Sequence, residues 1–268
     1  MGSSMSQAIV PQKASDRLTV LYEMYLSGKD DYLNQSTRLN IEEWSKSYVY
    51  KRRKDDVMDV LSQNNKALSS LGTSRISRKQ VFDIFADKGN SIVEGFVAAM
   101  AWGFKPDSYG PYRTSVMLSK PRKNRTVDEV LKSVTSTGDP VSAYRELANA
   151  LEGLGPAFGT KFLYFTSDTK NRAPILDAVV AKWLWRYGVR SSSDKWISPE
   201  GWNTKLYERY VLFCTEICEQ LGITDRGLVE YLMFVDAHYS DYLEQGKVQP
   251  LWIASAAPLG WPMGEPRS

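Results

Sequence analysis

"LEGLGPAFGTKFLYFTSDTKNRAPILDAVVAKW", residues 151–183, reads as two helices meeting at a glycine-bounded turn, with a third helix beyond. Upstream, GDPVSAYRELANALEG places Asp139 where it caps a helix, Pro140 at the first helical position and Gly153 past the end. Gly153 and Gly155 bound a tight hairpin, and the next helix starts near Pro156. After NRAPIL, Asp177 stands at the head of a helix whose stripe is Val179, Val180, Trp183, Leu184 and Tyr187, with Lys182 and Arg186 outside it. The unit is helix, hairpin, helix, return loop, helix.

The same periodicity runs through most of the chain. Residues 15–27 place Leu18, Leu21, Tyr22 and Tyr25 on one stripe behind a Ser15/Asp16 start, and Gly28 ends it. Residues 41–71 carry a long polar helical pattern around YKRRKDD, where Lys51–Lys54 are followed at once by Asp55 and Asp56; the run reads as a solvated face. A short helix, a turn at Gly89 and an apolar helix from Ser91 to Trp102 follow, the last with small residues that permit close packing. KPDSYGPYRTS reads as a loop, TVDEVLKSV as a helix, and residues 202–221 and 224–243 as two more, before a Pro- and Trp-rich tail that lies across the surface. Strand-like alternation of useful length is missing, so the fold class is all-α. Residues 1–14 read as a flexible, partly tag-like N-terminus and 15–268 as one helical domain with its working region at about 140–190.

Composition narrows the function classes. Of 268 residues, 43% are apolar and 24% charged, the balance of a globular protein, and the net charge of +3 permits an acidic partner without demanding one. A run of about 18 apolar residues is missing, and the polar opening is not a signal peptide, so we expect a cytoplasmic protein that uses no membrane. Cys214 and Cys218 sit four apart on one helix face and read as buried small hydrophobes in a reducing compartment. With His238 the only histidine, neither a zinc site nor a catalytic triad can be assembled; we expect no metal and no cofactor.

Chemistry concentrates at the hairpin. Backbone N–H groups at the start of the second helix, with its dipole, suit a phosphate oxygen, a grip that ignores base sequence. Phe158, Phe162 and Phe165 form a stripe at i, i+4 and i+7, and Lys161 lies on its edge, about 60° from Phe158. A lysine at such an edge either snorkels to water or is partly desolvated, and desolvation is how an amine becomes a nucleophile near neutral pH. Asp177 follows after a loop long enough to return it to the lysine, so the two side chains can share a cleft.

The arrangement resembles the helix-hairpin-helix DNA glycosylase superfamily, nearest to its prokaryotic 8-oxoguanine DNA glycosylase-like subgroup. AWGFKPDSYGPYRTS, Ala101–Ser115, is similar to that subgroup's Trp-Gly and Gly-Pro-Tyr-Arg segment, so the resemblance spans about residues 80–190. The family's Leu-Pro-Gly-Val-Gly-x-Lys pattern fits in two registers. LEGLG keeps the leucine and both glycines but has Ala157 at the lysine position, whereas GPAFGTK keeps Pro156, Gly159, Thr160 and Lys161 and has Ala157 at the first glycine. The resemblance implies Lys161 and Asp177 as the catalytic pair, Gly153, Gly155, Gly159 and Thr160 at the DNA backbone, and Trp102, Tyr112 and Arg113 around a flipped base; Phe104 and Tyr109 read as core. It implies a double-stranded DNA substrate carrying a modified base, with no obligate protein partner. That base is either a hypermodified phage base such as glucosylated hydroxymethylcytosine, in anti-phage defence, or 8-oxoguanine, in repair. Excision leaves an abasic site, with strand cleavage if Lys161 is the nucleophile and without it if water is. The competing reading is a non-catalytic helix-hairpin-helix DNA-binding module.

Overall fold

A computed structural model describes residues 10–28, 31–49, 57–104, 109–119, 121–122, 124–189 and 203–244. Its element order is α1 (Gln12–Ser27), β1 (Ser36–Arg38), β2 (Tyr48–Val49), β3 (Val57–Met58), α2 (Val60–Gln63), α3 (Lys66–Ser69), β4 (Arg75–Ser77), α4 (Arg78–Ala86), α5 (Ile92–Gly103) and α6 (Tyr109–Ser119). There follow α7 (Val127–Thr135), α8 (Pro140–Ala150), α9 (Pro156–Thr166), α10 (Ala178–Arg186), α11 (Thr204–Leu221) and α12 (Arg226–Glu244). The fold is mostly helical, as the periodicity requires.

Local chemistry starts these helices. Ser77/Gln80, Ser91/Glu94 and Thr126/Glu129 form reciprocal capping boxes at α4, α5 and α7. Asp139 caps α8, with Pro140 in its first turn. The apolar α5 packs against α4, α6, α7 and α9, and Phe96 through Met100 are buried completely. Its run of Ala98, Ala99 and Ala101 brings neighbouring helices close. α9 lies against α4, α5 and α8, while α12 lies against α1, α10 and α11.

Three readings change. The polar pattern over 41–71 is not a long helix: the described residues form a 3-10 turn at Glu43–Ser45, part of a ribbon, and the single-turn helices α2 and α3. Among the described residues of this stretch, Trp44, Leu61 and the pair Ala67–Leu68 are buried from separate short turns rather than from one helix face. Asn64 and Asn65 divert their amides to Val60 O and Ser45 Oγ, which separates the two short turns. Lys51–Asp56 lie outside the described residues.

The chain also contains two antiparallel ribbons, β1 with β4 and β2 with β3. They are too short for alternation to show. Finally, the segment read as a loop becomes α6 from Tyr109 onward, with residues 105–108 undescribed. Pro111 falls in the first turn, where a missing N–H is harmless. Thr114, Ser115 and Ser119 return their hydroxyls to carbonyls one turn back, so the two hydroxyls buried beside Val116, Met117 and Leu118 are satisfied within the helix. The first helix starts at Gln12, ahead of Ser15, with Ala14 fully buried. The tail after 244 lies outside the described residues.

Among the described residues no helix is long and apolar enough to cross a membrane, and no group of three His, Cys, Asp or Glu could hold a metal. Burial pushes the Cys218 thiol up to about 12 and Cys214 up as well, so both are unreactive near neutral pH.

An ion pair sits deep in the interior. Arg78 faces Glu230 with Nη1–Oε2 at 2.9 Å, and its Nε donates to Gln35 Oε1 at 2.7 Å. The guanidinium lies 4.8 Å from the Trp102 ring centre and 5.0 Å from that of Tyr164. Arg78→Leu strands a buried carboxylate and is expected to cost about 3–5 kcal/mol in urea unfolding followed by tryptophan fluorescence, most of it recovered when Glu230→Leu is added. A loss under about 1 kcal/mol for the single change contradicts a paired interior charge.

Candidate active site

The hairpin is built as its glycines require. α8 ends at Ala150, Gly153 turns at φ +74° and Gly155 caps α9, whose first residue is Pro156. Gly153 is the position that needs the left-handed region. Its carbonyl accepts from Arg113 Nη2 at 2.7 Å, and a Cβ on Gly153 would lie 3.1 Å from that nitrogen. Arg113 therefore stitches α6 to the hairpin. A bridge between Pro121 and Leu151, with Arg122 N donating to Ala150 O at 2.7 Å, ties the same segment down again.

α9 carries Lys161 deeper than the stripe's edge, at 7% exposure. Its Nζ donates to Ala157 O at 2.9 Å and stands 3.5 Å from Asp177 Oδ2. The two residues thus converge. Asp177 is the N-cap of α10: its Oδ1 accepts from Val179 N at 2.9 Å and Val180 N at 3.0 Å. One carboxylate oxygen starts the helix while the other faces the amine. Glu230 feels both: burial pushes its carboxyl up, Arg78 holds it down, and Asp177 and Lys161 act on it in opposite directions. Four charges of zero net sum surround the site.

The lysine stem needs a gap in α5. A Cβ on Gly103 would lie 2.3 Å from Lys161 Cδ and 2.6 Å from Cε, so the stem crosses the helix where only hydrogen fits. Gly110 serves likewise for Phe104, whose ring carbon would be 2.6 Å from an added Cβ. Phe104 stacks on Phe158 with centres 4.7 Å apart, and Tyr109, 58% exposed, meets Phe104 edge-on at 6.1 Å. The flanking residues decide where this stack lies. Gly103 and Ala157 touch the lysine, and their neighbours Phe104 and Phe158 form the stack.

Other assignments shift accordingly. Gly159 is buried where a Cβ would come within 2.7 Å of Leu154, and Thr160 is fully buried; both are interior rather than facing a DNA backbone. Gly153 is exposed and Gly155 half-buried, with open space around the latter's Cβ position. The Trp102 indole donates to Gln35 O at 3.3 Å and meets Phe165 edge-on, forming a wall of the Arg78 cage. Tyr112 packs with Tyr48 and Val116 in a small separate cluster. Phe104, read as core, does pack against the core while its ring stacks on Phe158, whereas Tyr109, also read as core, is 58% exposed and meets Phe104 edge-on.

Chemically, an amine held beside a carboxylate with an aromatic surface next to it suits attack on a sugar carbon whose base has left the stack. Gly103→Ala is expected to keep the fold, because only the flexible lysine stem is struck, while moving Nζ out of hydrogen-bond reach of Ala157 O. A crystal structure of the variant with Lys161 unmoved contradicts this.

No curated protein and no solved structure matches the chain. The family described as "Putative 8-oxoguanine DNA glycosylase OGG-like protein" matches residues 30–234, a span that includes α9, the return loop and Asp177. The chain belongs to this OGG-like DNA glycosylase family.

Proposed function

We propose that this glycosylase excises a modified base from double-stranded DNA by attack of the Lys161 amine, and the observation that carries the reading is the buried Lys161–Asp177 contact beside an aromatic stack. The target nucleotide leaves the duplex at a cost of a few kcal/mol and its base lies against Phe104, Phe158 and Tyr109. The Lys161 ammonium first gives a proton to Asp177; the freed Nζ lone pair bonds to C1′ as the N-glycosidic bond breaks, and the base departs with the bonding electrons and takes up that proton. Asp177 stabilises the positive charge on the sugar and accepts the proton that the bound amine loses. The nitrogen lone pair then forms C1′=N as the C1′–O4′ bond breaks and O4′ takes the proton held by Asp177, leaving an imine on Lys161 from which the strand can break.

Phosphate binding falls to the hairpin, where Gly153 is exposed and Gly155 leaves open space at the start of α9. The family's description names 8-oxoguanine, which makes oxidised guanine in repair the first substrate to test. A glucosylated hydroxymethylcytosine of phage DNA, in defence, is the second. The buried thiols suit work in the reducing cytoplasm.

Duplexes containing 8-oxoguanine and glucosylated phage DNA, with released bases identified by mass, decide the substrate. Asp177→Asn keeps a good helix cap but removes the charge, so it should retain stability and duplex binding while losing excision by about a hundredfold or more. Borohydride added during turnover should trap a covalent adduct that Lys161→Ala abolishes. Excision without an adduct reassigns the attack to water. Salt-sensitive binding of every duplex with no base released supports the non-catalytic module instead.

A further inference from the structure

Asp177 reaches Lys161 at the end of a segment with no regular structure. Residues 172–177 run between α9 and α10 without helix or strand, so their backbone groups must find partners elsewhere. Side chains supply them. Ala173 N donates to Ser167 Oγ at 2.9 Å, while Tyr207 and Tyr210 of α11 donate to the carbonyls of Pro174 at 3.2 Å and Ile175 at 3.0 Å. Leu176 N donates to Thr160 Oγ1 at 3.0 Å.

That last bond differs from the others in what it joins. Thr160 precedes Lys161 on α9, and Leu176 precedes Asp177 on the return segment. The same hydroxyl donates to Pro156 O at 2.7 Å, so both of its directions are fixed and its own rotation is locked. Thr160 and Leu176 are both buried, leaving no water to replace either bond. One hydroxyl therefore sets the register between the backbone that carries the amine and the backbone that carries the carboxylate.

We propose that Thr160 is a positioning residue which, through Leu176 N, holds Asp177 at its working distance from Lys161; the inference rests on these two acting as the reactive pair. It is not a catalytic residue, since it touches neither amine nor carboxylate. Valine has the shape of threonine without the hydroxyl, and serine has the hydroxyl without the methyl. The two replacements separate positioning from packing.

The probe is a duplex with one abasic site, which needs no knowledge of the excised base. The Lys161 amine condenses with the sugar aldehyde, water leaves, and borohydride adds hydride to the resulting imine carbon. Thr160→Val is expected to form the adduct about tenfold more slowly than wild type or worse, with duplex affinity unchanged, because misplaced reacting groups lose rate before binding. Thr160→Ser should restore the rate to within about twofold, since it restores the hydrogen bond. Adduct formation by Thr160→Val at the wild-type rate overturns the proposal. If wild type itself forms no adduct, attack by the amine is what fails, and crystal structures of the two variants decide the positioning role. There the Lys161–Asp177 separation should widen with valine and persist with serine, and an unchanged separation with valine overturns it.

Discussion

An ammonium group kept from water needs partners, and the contact of Lys161 with Asp177 and Ala157 O meets that need. Much of the surrounding architecture follows from it. α9 delivers the amine, but the stem must cross α5, and that crossing requires Gly103. Asp177 must return from the far end of α9 without a strand or helix to guide it, and side chains of α9 and α11 hold the segment instead. The hairpin before α9 must not drift, and Arg113 pins its tip from α6. The bridge between Pro121 and Leu151 adds a second tie to the same turn.

The interior ion pair belongs to the same economy of charge. Arg78 and Glu230 are buried more deeply than Lys161 and Asp177 and come from opposite ends of the sequence. Such a pair contributes little net stability over a well-packed apolar pair. Its position gives it another consequence: Glu230 lies within electrostatic reach of Lys161 and Asp177, so the two oppositely charged pairs form one balanced set. A balanced set can take up a transient change on one member with less cost than an isolated charge in low dielectric.

How much of this the sequence displayed depends on scale. Helices with stripes and caps were legible, because Asp139–Pro140, Ser91 and Asp177 each signal a start through local bonding. Lys161 and Asp177 were legible as a pair through spacing and resemblance. What the sequence hid is mostly reciprocal. The WG and YG glycines look like turn residues, yet their reasons lie in Lys161 and Phe104, neither of which is a turn partner. α6 was hidden because Gly110 and Pro111 signal a loop and because the run Thr114–Leu118 is buried on every side, mixing two back-bonded hydroxyls with Val116, Met117 and Leu118, so no one-sided apolar stripe marks the helix. The ribbons were hidden because strands of two or three residues show no period.

Thr160 shows why a motif register can mislead about a residue's role. In GPAFGTK it stands between a glycine and the lysine, where a hydroxyl facing a phosphate is a natural assignment. The helix turns it the other way. With Lys161 aimed across α5, the preceding residue lies about 100° round the helix, and there it meets the return segment. Placing the amine in the site thus fixes Thr160 in the interior, and its hydroxyl acts on the carboxylate opposite the amine through backbone alone. Asp177 answers with a division of its own: Oδ1 is occupied by two N–H groups of α10, and Oδ2 is the oxygen that faces Lys161. A carboxylate fixed at one oxygen by a helix start and along its backbone by a hydroxyl has little freedom left, and in the proposed attack such preorganisation is what would let its charge act on a transition state without first being gathered from solvent.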